Sequence, residues 1–393
     1  MVSKLKCFSL ICAISLMSAI LYGNVGISQS PESIVRLTTE PPVSQLFPFE
    51  AEANTPQSPV KLKLQAVDKT GIPLENAKIS LTILTPPKNP WLPTDFPIVE
   101  GTTLLEMDGI APKGELAIEQ ILPIRGTYQL LVNVTPIVKN AFAPIQQTIT
   151  LSIPENGVKY RNFAILCGIL LIVGIGGGFV IGGRQEMEWG EIAPTRVRLL
   201  LSGAIIFAIA VLLFVNISAE LVESGTHQHG EHHHHHETAT NSSGSIQSQG
   251  LDVQLSGDNT ATVGQLANLN IQVIDTQKNQ PATDVILNIK SIQLEDEWIA
   301  FAYQTVPNLN GQLTWKQQFF DGAPHKIEVE VAPAANSTRQ FQPFQVSKMI
   351  EVAGVEPPLL IRLIALAYLT GIVVVGLLIG LSWGRKKLKL VSN

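Results

Sequence analysis

The sequence predicts all-β outer domains plus transmembrane α-helices: two duplicated immunoglobulin-like β-sandwiches, each followed by a membrane helix, with an additional return helix between them. Three observations predict this. The composition is 45% hydrophobic and only 15% charged, too oily for an ordinary soluble chain, and the excess is concentrated in long uncharged runs. Two regions between those runs alternate apolar and polar residues with the period of half-buried strands. Those two regions also match each other in residues and spacing.

At the N-terminus, Lys4 and Lys6 precede an apolar run from Cys7 to Leu21 that gives way to small and polar residues. This is the layout of a secretory signal peptide over residues 1–28; with no clean Ala-x-Ala site, an uncleaved anchor stays open and leaves the topology unchanged. Cys7 and Cys12 fall in that segment and Cys167 in the first span, so the outer regions have no disulfide and depend on hydrophobic cores.

The first outer domain, 31–158, sets Leu62, Leu64 and Ala66 against Lys61, Lys63 and Gln65. It carries a proline-rich insertion around Pro86 to Pro97, a candidate contact surface. The second, 250–356, sets Leu269, Ile271 and Val273 against Asn268, Asn270 and Gln272. The duplication is read from colinear matches. Gly114-Glu-Leu116 leading to Val132-Asn-Val134-Thr-Pro136 answers Gly311-Gln-Leu313 leading to Val329-Glu-Val331-Ala-Pro333. Phe142-Ala-Pro144 answers Phe341-Gln-Pro343, and Leu64 to Asp68 with Pro73 answers Ile271 to Asp275 with Pro281. Pro, Gly, Asn and Asp turns separate about seven short strands in each copy.

Three runs between charges, Arg161 to Arg184, Arg198 to Glu220 and Arg362 to Arg385, leave 21 or 22 residues each. A helix needs roughly 20 to cross ~30 Å of hydrocarbon. The predicted helices are 162–183, 199–219 and 359–383. Arg184, Arg196 and Arg198 mark loop 184–198 as cytoplasmic, and Arg385, Lys386, Lys387 and Lys389 mark the tail 384–393 likewise. Lys159 and Arg161 oppose this orientation and are outnumbered. Leu199 to Gln277 holds no Lys or Arg, which puts both sandwiches and the segment between them on the periplasmic side of a bacterial cytoplasmic membrane.

That segment, 220–249, reads as a disordered linker, and seven of the eight histidines lie in ten of its residues: His227, His229, His232, His233, His234, His235 and His236. Imidazole titrates near ~6.5, so at neutral pH these rings offer lone pairs to a divalent cation. Glu231 and Glu237 can add oxygen ligands. A flexible run of this kind binds Ni²⁺, Zn²⁺, Co²⁺ or Cu²⁺ in the order of their intrinsic affinities, which suits collection or sensing rather than catalysis. A pH switch and a plain polar spacer are the competing readings. His325 aligns with Tyr128 in the repeat and reads as a packing or edge position.

Gly174, Gly178 and Gly182 are spaced four apart, as are Gly376, Gly380 and Gly384. Such glycines share one helix face and let another helix approach closely. The predicted use is packing of these two spans on each other, or on a partner or a second copy in a homo-oligomer.

No acidic or basic residue stands in mid-membrane, which argues against a self-contained pump. A net charge of -5 with no basic patch gives no sign of nucleic acid. No nucleophile elbow, P-loop or His-Glu-x-x-His motif occurs, and the chain is not expected to be an enzyme.

Gly126-Thr-Tyr128-Gln-Leu130-Leu-Val132-Asn-Val134, with its partner His325-Lys-Ile327-Glu-Val329-Glu-Val331, resembles the closing strands of YtkA-like and FixH-like bacterial envelope sandwich domains. The resemblance covers about a quarter of each domain and supports the fold more than the function. It implies association with metal handling, copper above all. The duplication, the three spans and the lack of a Met or His ligand set inside the sandwiches depart from that pattern, so no ligand residue is carried over.

The expected function is that of an accessory or sensor in divalent-metal handling, working with a membrane or envelope partner such as a metal transporter. The alternative is a structural or assembly protein of the envelope, with sandwiches that bind proteins and a linker that is only a spacer.

Overall fold

Alternating burial turns the predicted apolar stripes into strands. The first half of the chain supplies β1 (Val35–Glu40), β2 (Val60–Ala66), β3 (Ala77–Leu84), β4 (Thr103–Ala111), β5 (Glu115–Gln120), β6 (Gly126–Pro136) and β7 (Ile145–Ile153), then helix α1 (Gly157–Gly182). The second supplies β8 (Gly244–Ser248), β9 (Leu251–Gly257), β10 (Thr260–Thr262), β11 (Leu266–Asp275), β12 (Gln280–Pro281), β13 (Val285–Gln293), β14 (Ile299–Thr305), β15 (Gln312–Gln318), β16 (His325–Pro333) and β17 (Phe344–Ala353), then helix α2 (Leu359–Val391). This computed structural model describes residues 35–50, 57–89, 91–182, 244–335, 337, 339–391 and a few positions between 194 and 203. The predicted signal segment 1–28, most of the predicted return helix 199–219 and the histidine cluster lie outside the described residues.

The chain divides into a β unit, up to Asn156 and from Ser242 to Pro357, and a helical unit made of the rest. In the β unit two sheets enclose one continuous hydrophobic core. One sheet has the order β1-β2-β5-β14-β13-β16-β17-β10 and the other β7-β6-β3-β4-β15-β11-β9-β8. The first half contributes three strands facing four, β1-β2-β5 against β7-β6-β3-β4, and the second four facing five, β15-β11-β9-β8 against β14-β13-β16-β17-β10, with β12 paired to β11. This is an immunoglobulin-like order in both halves.

The expectation of two separate sandwiches, 31–158 and 250–356, is corrected here, because both sheets run through both halves. β5 pairs with β14 through Gln120↔Phe301, Glu119↔Ala302 and Ile118↔Tyr303. β4 pairs with β15 through Met107↔Trp315, Glu106↔Lys316 and Leu105↔Gln317. The physical reason is the edge. A lone sandwich of this order would leave the outer ladders of β4 and β5 unpaired, and joining the halves satisfies both. One seam joins β4 to β15 and the other β5 to β14, one in each sheet.

Strand directions place one set of ends together. Gly126 pairs with Ile153, Val60 with Gln120, Gln293 with His325, and His325 with Ile350. With the seam pairs above, β7 and β17 finish at the same end of the sandwich, and the segments 41–59, 85–102, 294–298 and 319–324 gather there.

The predicted linker 220–249 is also too long at its C-terminal end. Residues 244–248 form β8, paired with β9 across a two-residue turn in which Gln249 and Gly250 both have positive φ. Its Gly, Ser and Gln content reads as a spacer, but an edge strand with an exposed face tolerates the same residues.

In the helical unit, α1 begins five residues before the predicted 162 and includes Lys159 and Arg161 as its first turns. α2 begins at the predicted Leu359 but continues past Trp383 through the basic residues to Val391, so the predicted tail starts as helix. Gly157–Gly182 and Leu359–Trp383 are each long and apolar enough to cross a membrane.

Candidate functional site

The residues singled out by sequence fall into three places. The proposed metal ligands His227, His229, His232, His233, His234, His235, His236, Glu231 and Glu237 lie outside the described residues. Among the described residues, no group of three or more His, Cys, Asp or Glu side chains is arranged to hold a metal ion.

The glycine faces are brought together. A Cβ on Gly174 would overlap the carbonyl oxygen of Val373 and stand 3.0 Å from Cα of Gly376, and one on Gly178 would overlap the carbonyl oxygen of Leu377. From the other side, a Cβ on Gly376 would stand 2.5 Å from the Leu171 carbonyl oxygen, and one on Gly380 would overlap that of Ile175. Gly182 meets Leu381 at 3.2 Å. Positions rise together along both helices, so α1 and α2 run parallel. Gly168, Gly176 and Gly371 meet nothing within 4 Å; the close approach belongs to the four-residue spacing. Gly384 continues α2 one turn further. The faces offered to a second copy are thus taken up within one chain.

His325 opens β16 and is 1% exposed. Its Nδ1 lies 2.8 Å from the carbonyl oxygen of Ala323, and its ring packs against Phe319 and Trp298 with centroids 4.6 and 5.8 Å away. Burial holds its pKa below the usual imidazole range, against the pull of Ala323 and Asp321, so the ring is a neutral packing residue. Tyr128 holds the matching place in β6. It is fully buried, donates to the Ile124 carbonyl at 2.7 Å and accepts from the Ile124 amide at 2.9 Å. That is the tyrosine corner of immunoglobulin-like domains; the His325 ring meets the backbone two residues upstream instead.

Around His325 an aromatic cluster closes the end of the sandwich where the halves meet. Phe49 and Phe96 from the first half pack against Phe320 from the second at 5.2 and 5.3 Å, and Phe49 against Trp298 at 4.8 Å. Trp298 stacks on Phe320 at 5.2 Å. Rings at these separations add attraction beyond burial alone. The seam itself carries a Lys316–Glu106 ion pair at 2.7 Å and a Gln318-to-Thr102 hydrogen bond at 2.8 Å.

The proline-rich insertion is an ordered loop. Glu100, 2% exposed, accepts from the amide and hydroxyl of Thr94, both at 2.8 Å, and from the Asn89 amide at 3.2 Å. Arg125 donates to the carbonyls of Leu92 and Pro93 at 3.2 and 3.1 Å and pairs with Glu155 at 2.6 Å. Sequence reading marks the insertion but misses Glu100 and Arg125; nothing in their local pattern announces the loop as their target.

At the opposite end, Asp275 caps its turn through the amides of Gln277 and Lys278 and pairs with Arg339 at 2.6 Å. The Arg339 guanidinium and these amides bring its carboxyl down to about 2. Asp68, its match in the sequence, caps its own turn through the Thr70 hydroxyl and the amides of Thr70 and Ile72, and the Thr70 hydroxyl first, then the Ile72, Thr70 and Gly71 amides, lower its carboxyl against burial. Lys348 in β17 is nearly buried and donates to the Gly257 carbonyl at 2.5 Å, and burial lowers its pKa.

No protein-family model and no curated protein sequence matches the chain. Among solved structures, it is similar to a cohesin module from Clostridium perfringens family 33 glycoside hydrolase at 7% identity, over 26% of this chain and 96% of that one, with a TM-score of 0.20. It is similar to invasin, a bacterial integrin-binding protein, at 9% identity over 82% of this chain, with a TM-score of 0.18. A third likeness, to trypsin-activated α-2-macroglobulin from Escherichia coli, has 8% identity over 83% of this chain and a TM-score of 0.21. The chain spans 40% of the invasin and 16% of the macroglobulin structure. At such scores these likenesses carry no argument, and the two-sheet architecture rests on the strand pairing.

Proposed function

We propose that this chain is a multi-pass protein of a bacterial cytoplasmic membrane. Its fused sandwich stands on the outer side, and its histidine-rich segment collects Ni²⁺, Zn²⁺, Co²⁺ or Cu²⁺ for a partner transporter or sensor. The observation that carries the metal role is the concentration of seven histidines in ten residues of a stretch without Lys or Arg. Topology supports the address. Both halves belong to one β unit, and α1 and α2 run parallel. A chain that leaves through α1 must come back before β8, and the uncharged run 199–219 is long enough for that return. The cluster then follows the return immediately, near the membrane surface and tethered at both ends.

Metal titration of the purified full chain tests this, against a variant lacking Thr226 to Glu237. The expected result is tight binding in the order Co²⁺ < Ni²⁺ < Cu²⁺, lost on deletion. Unchanged binding in the deletion variant would contradict it.

A second reading, an envelope assembly protein, is favoured by one observation. A shallow depression of mixed polar and apolar lining crosses the seam of the sheet, bordered by Thr82, Glu106, Met107, Asn268, Trp315 and Lys316. Capture of a protein through that face, unaffected by deleting the histidines, supports this reading instead.

A further inference from the structure

Large apolar side chains stand exposed at the end of the sandwich where β7 and β17 finish. In the loop between β3 and β4, Trp91 is 68% and Leu92 64% exposed; in the segment after β1, Phe47 is 46% and Val43 44% exposed. Both elements are fastened to the last residues before α1. Arg125 ties the Leu92 and Pro93 carbonyls to Glu155. Asn156 donates to Glu50 at 2.8 Å, three residues from Phe47. The exposed groups therefore flank a point one or two residues before Gly157, where the apolar helix begins.

We propose that the Trp91–Leu92 tip, with Phe47 and Val43 beside it, seats the sandwich in the interfacial layer of the outer leaflet. This rests on the reading of α1 and α2 as membrane spans. Arg161, the last charge before the uncharged run, is about 6 Å along the helix from Gly157 at ~1.5 Å per residue. The headgroup layer on each side of a bilayer is roughly 5–7 Å thick, so a span whose hydrocarbon segment starts after Arg161 keeps its first turn, from Gly157, within that layer, and Glu155 precedes that turn by two residues. Indole is the side chain best suited to that depth, with an apolar body and one polar N–H.

The loop is built for presentation rather than left over from the repeat. The second half joins β13 to β14 through residues 294–298, whereas the first joins β3 to β4 through residues 85–102. The short counterpart carries Glu295, Asp296 and Glu297, and its tryptophan, Trp298, is buried in the aromatic cluster. In the long loop Glu100 and Arg125 hold the backbone while Trp91 points away from any core. Fixing an apolar tip in this way lowers the entropy lost when it docks.

The test is depth measurement by nitroxide labelling of the full chain in phosphatidylcholine–phosphatidylglycerol vesicles. Labels are placed one at a time through Trp91→Cys, Leu92→Cys, Ile172→Cys and Asp296→Cys, in a background carrying C7S, C12S and C167S. Relaxation by oxygen, which partitions into lipid, is compared with relaxation by water-soluble chromium oxalate. The expected oxygen preference is highest at 172, several-fold above the 296 value at 91 or 92, and lowest at 296. Leu92→Cys keeps Trp91 in place and guards against an effect of its removal. A lipid signal at 172 with 91 and 92 as aqueous as 296 would overturn the anchor while leaving the spans standing. Shielding of 91 and 92 from both reagents would overturn it in favour of a protein contact. An aqueous signal at 172 would overturn the membrane reading itself.

Discussion

The hydroxyl of Tyr303 lies 2.6 Å from the point where a Cβ on Gly109 would stand, so a missing side chain in β4 makes room for a tyrosine of the other half. The Tyr303 Cζ is 3.6 Å from that point, an ordinary contact, while Leu116 Cδ1 is 2.5 Å away at the flexible end of its chain. Gly109→Ala should cost about 1–3 kcal/mol by overpacking. Tyr303→Phe should recover part of that loss in the G109A background while costing stability on its own. Denaturant unfolding of the four-member cycle checks this, and additive effects would show that the two residues do not meet.

His325 makes stability depend on mild acid. Its folded pKa is lowered by burial, so its contribution is complete above the unfolded value of ~6.5 and falls as pH drops below it, because only the unfolded chain takes up the proton. The slope for one such group is at most about 1.4 kcal/mol per pH unit. His325→Tyr, which restores the residue found at position 128, should flatten the stability profile between pH 7 and 5. An unchanged slope would assign the dependence elsewhere.

The Arg339–Asp275 pair sets a separate, more acidic limb. The Asp275 carboxyl is held down to about 2 from an ordinary 3.8, so the pair stabilises the fold above that ordinary value and its contribution is lost as pH falls from there through about 2. Arg339→Leu should move the acid-unfolding midpoint upward while leaving the His325-dependent limb in place. Circular dichroism against pH separates the two.

In the helical unit, Gly178→Leu should split the pair, because its Cβ would overlap the Leu377 carbonyl, whereas Gly176→Leu should be tolerated, since nothing stands within 4 Å of Gly176. The readout is disulfide yield between G182C and L381C in isolated membranes, in a C167S background. G178L should lower the yield strongly and G176L should leave it near wild type.

Much of the fold is legible in residues alone. Alternation fixes which side chains of β2, β3, β6, β11 and β13 face the core, and the repeat predicts that His325 takes the place of Tyr128. The four-residue glycine spacing likewise names the faces that meet. The seam is not legible, since a period of two assigns a strand's faces and says nothing about its edges. Glu106 and Lys316, or Ile118 and Tyr303, become neighbours only once both halves are folded. β8 escapes because its polar residues match a linker as well as an edge strand, and the loop 85–102 is visible as an insertion while its clamps, Glu100 and Arg125, are not.

Growth of a strain whose only copy of the gene lacks Thr226 to Glu237, across limitation and excess of nickel, zinc, cobalt and copper, decides whether the histidine-rich segment serves metal traffic. The expected result is a growth defect or altered tolerance for at least one of these metals, with the shortened protein present at normal levels. Growth indistinguishable from wild type in every metal would contradict it.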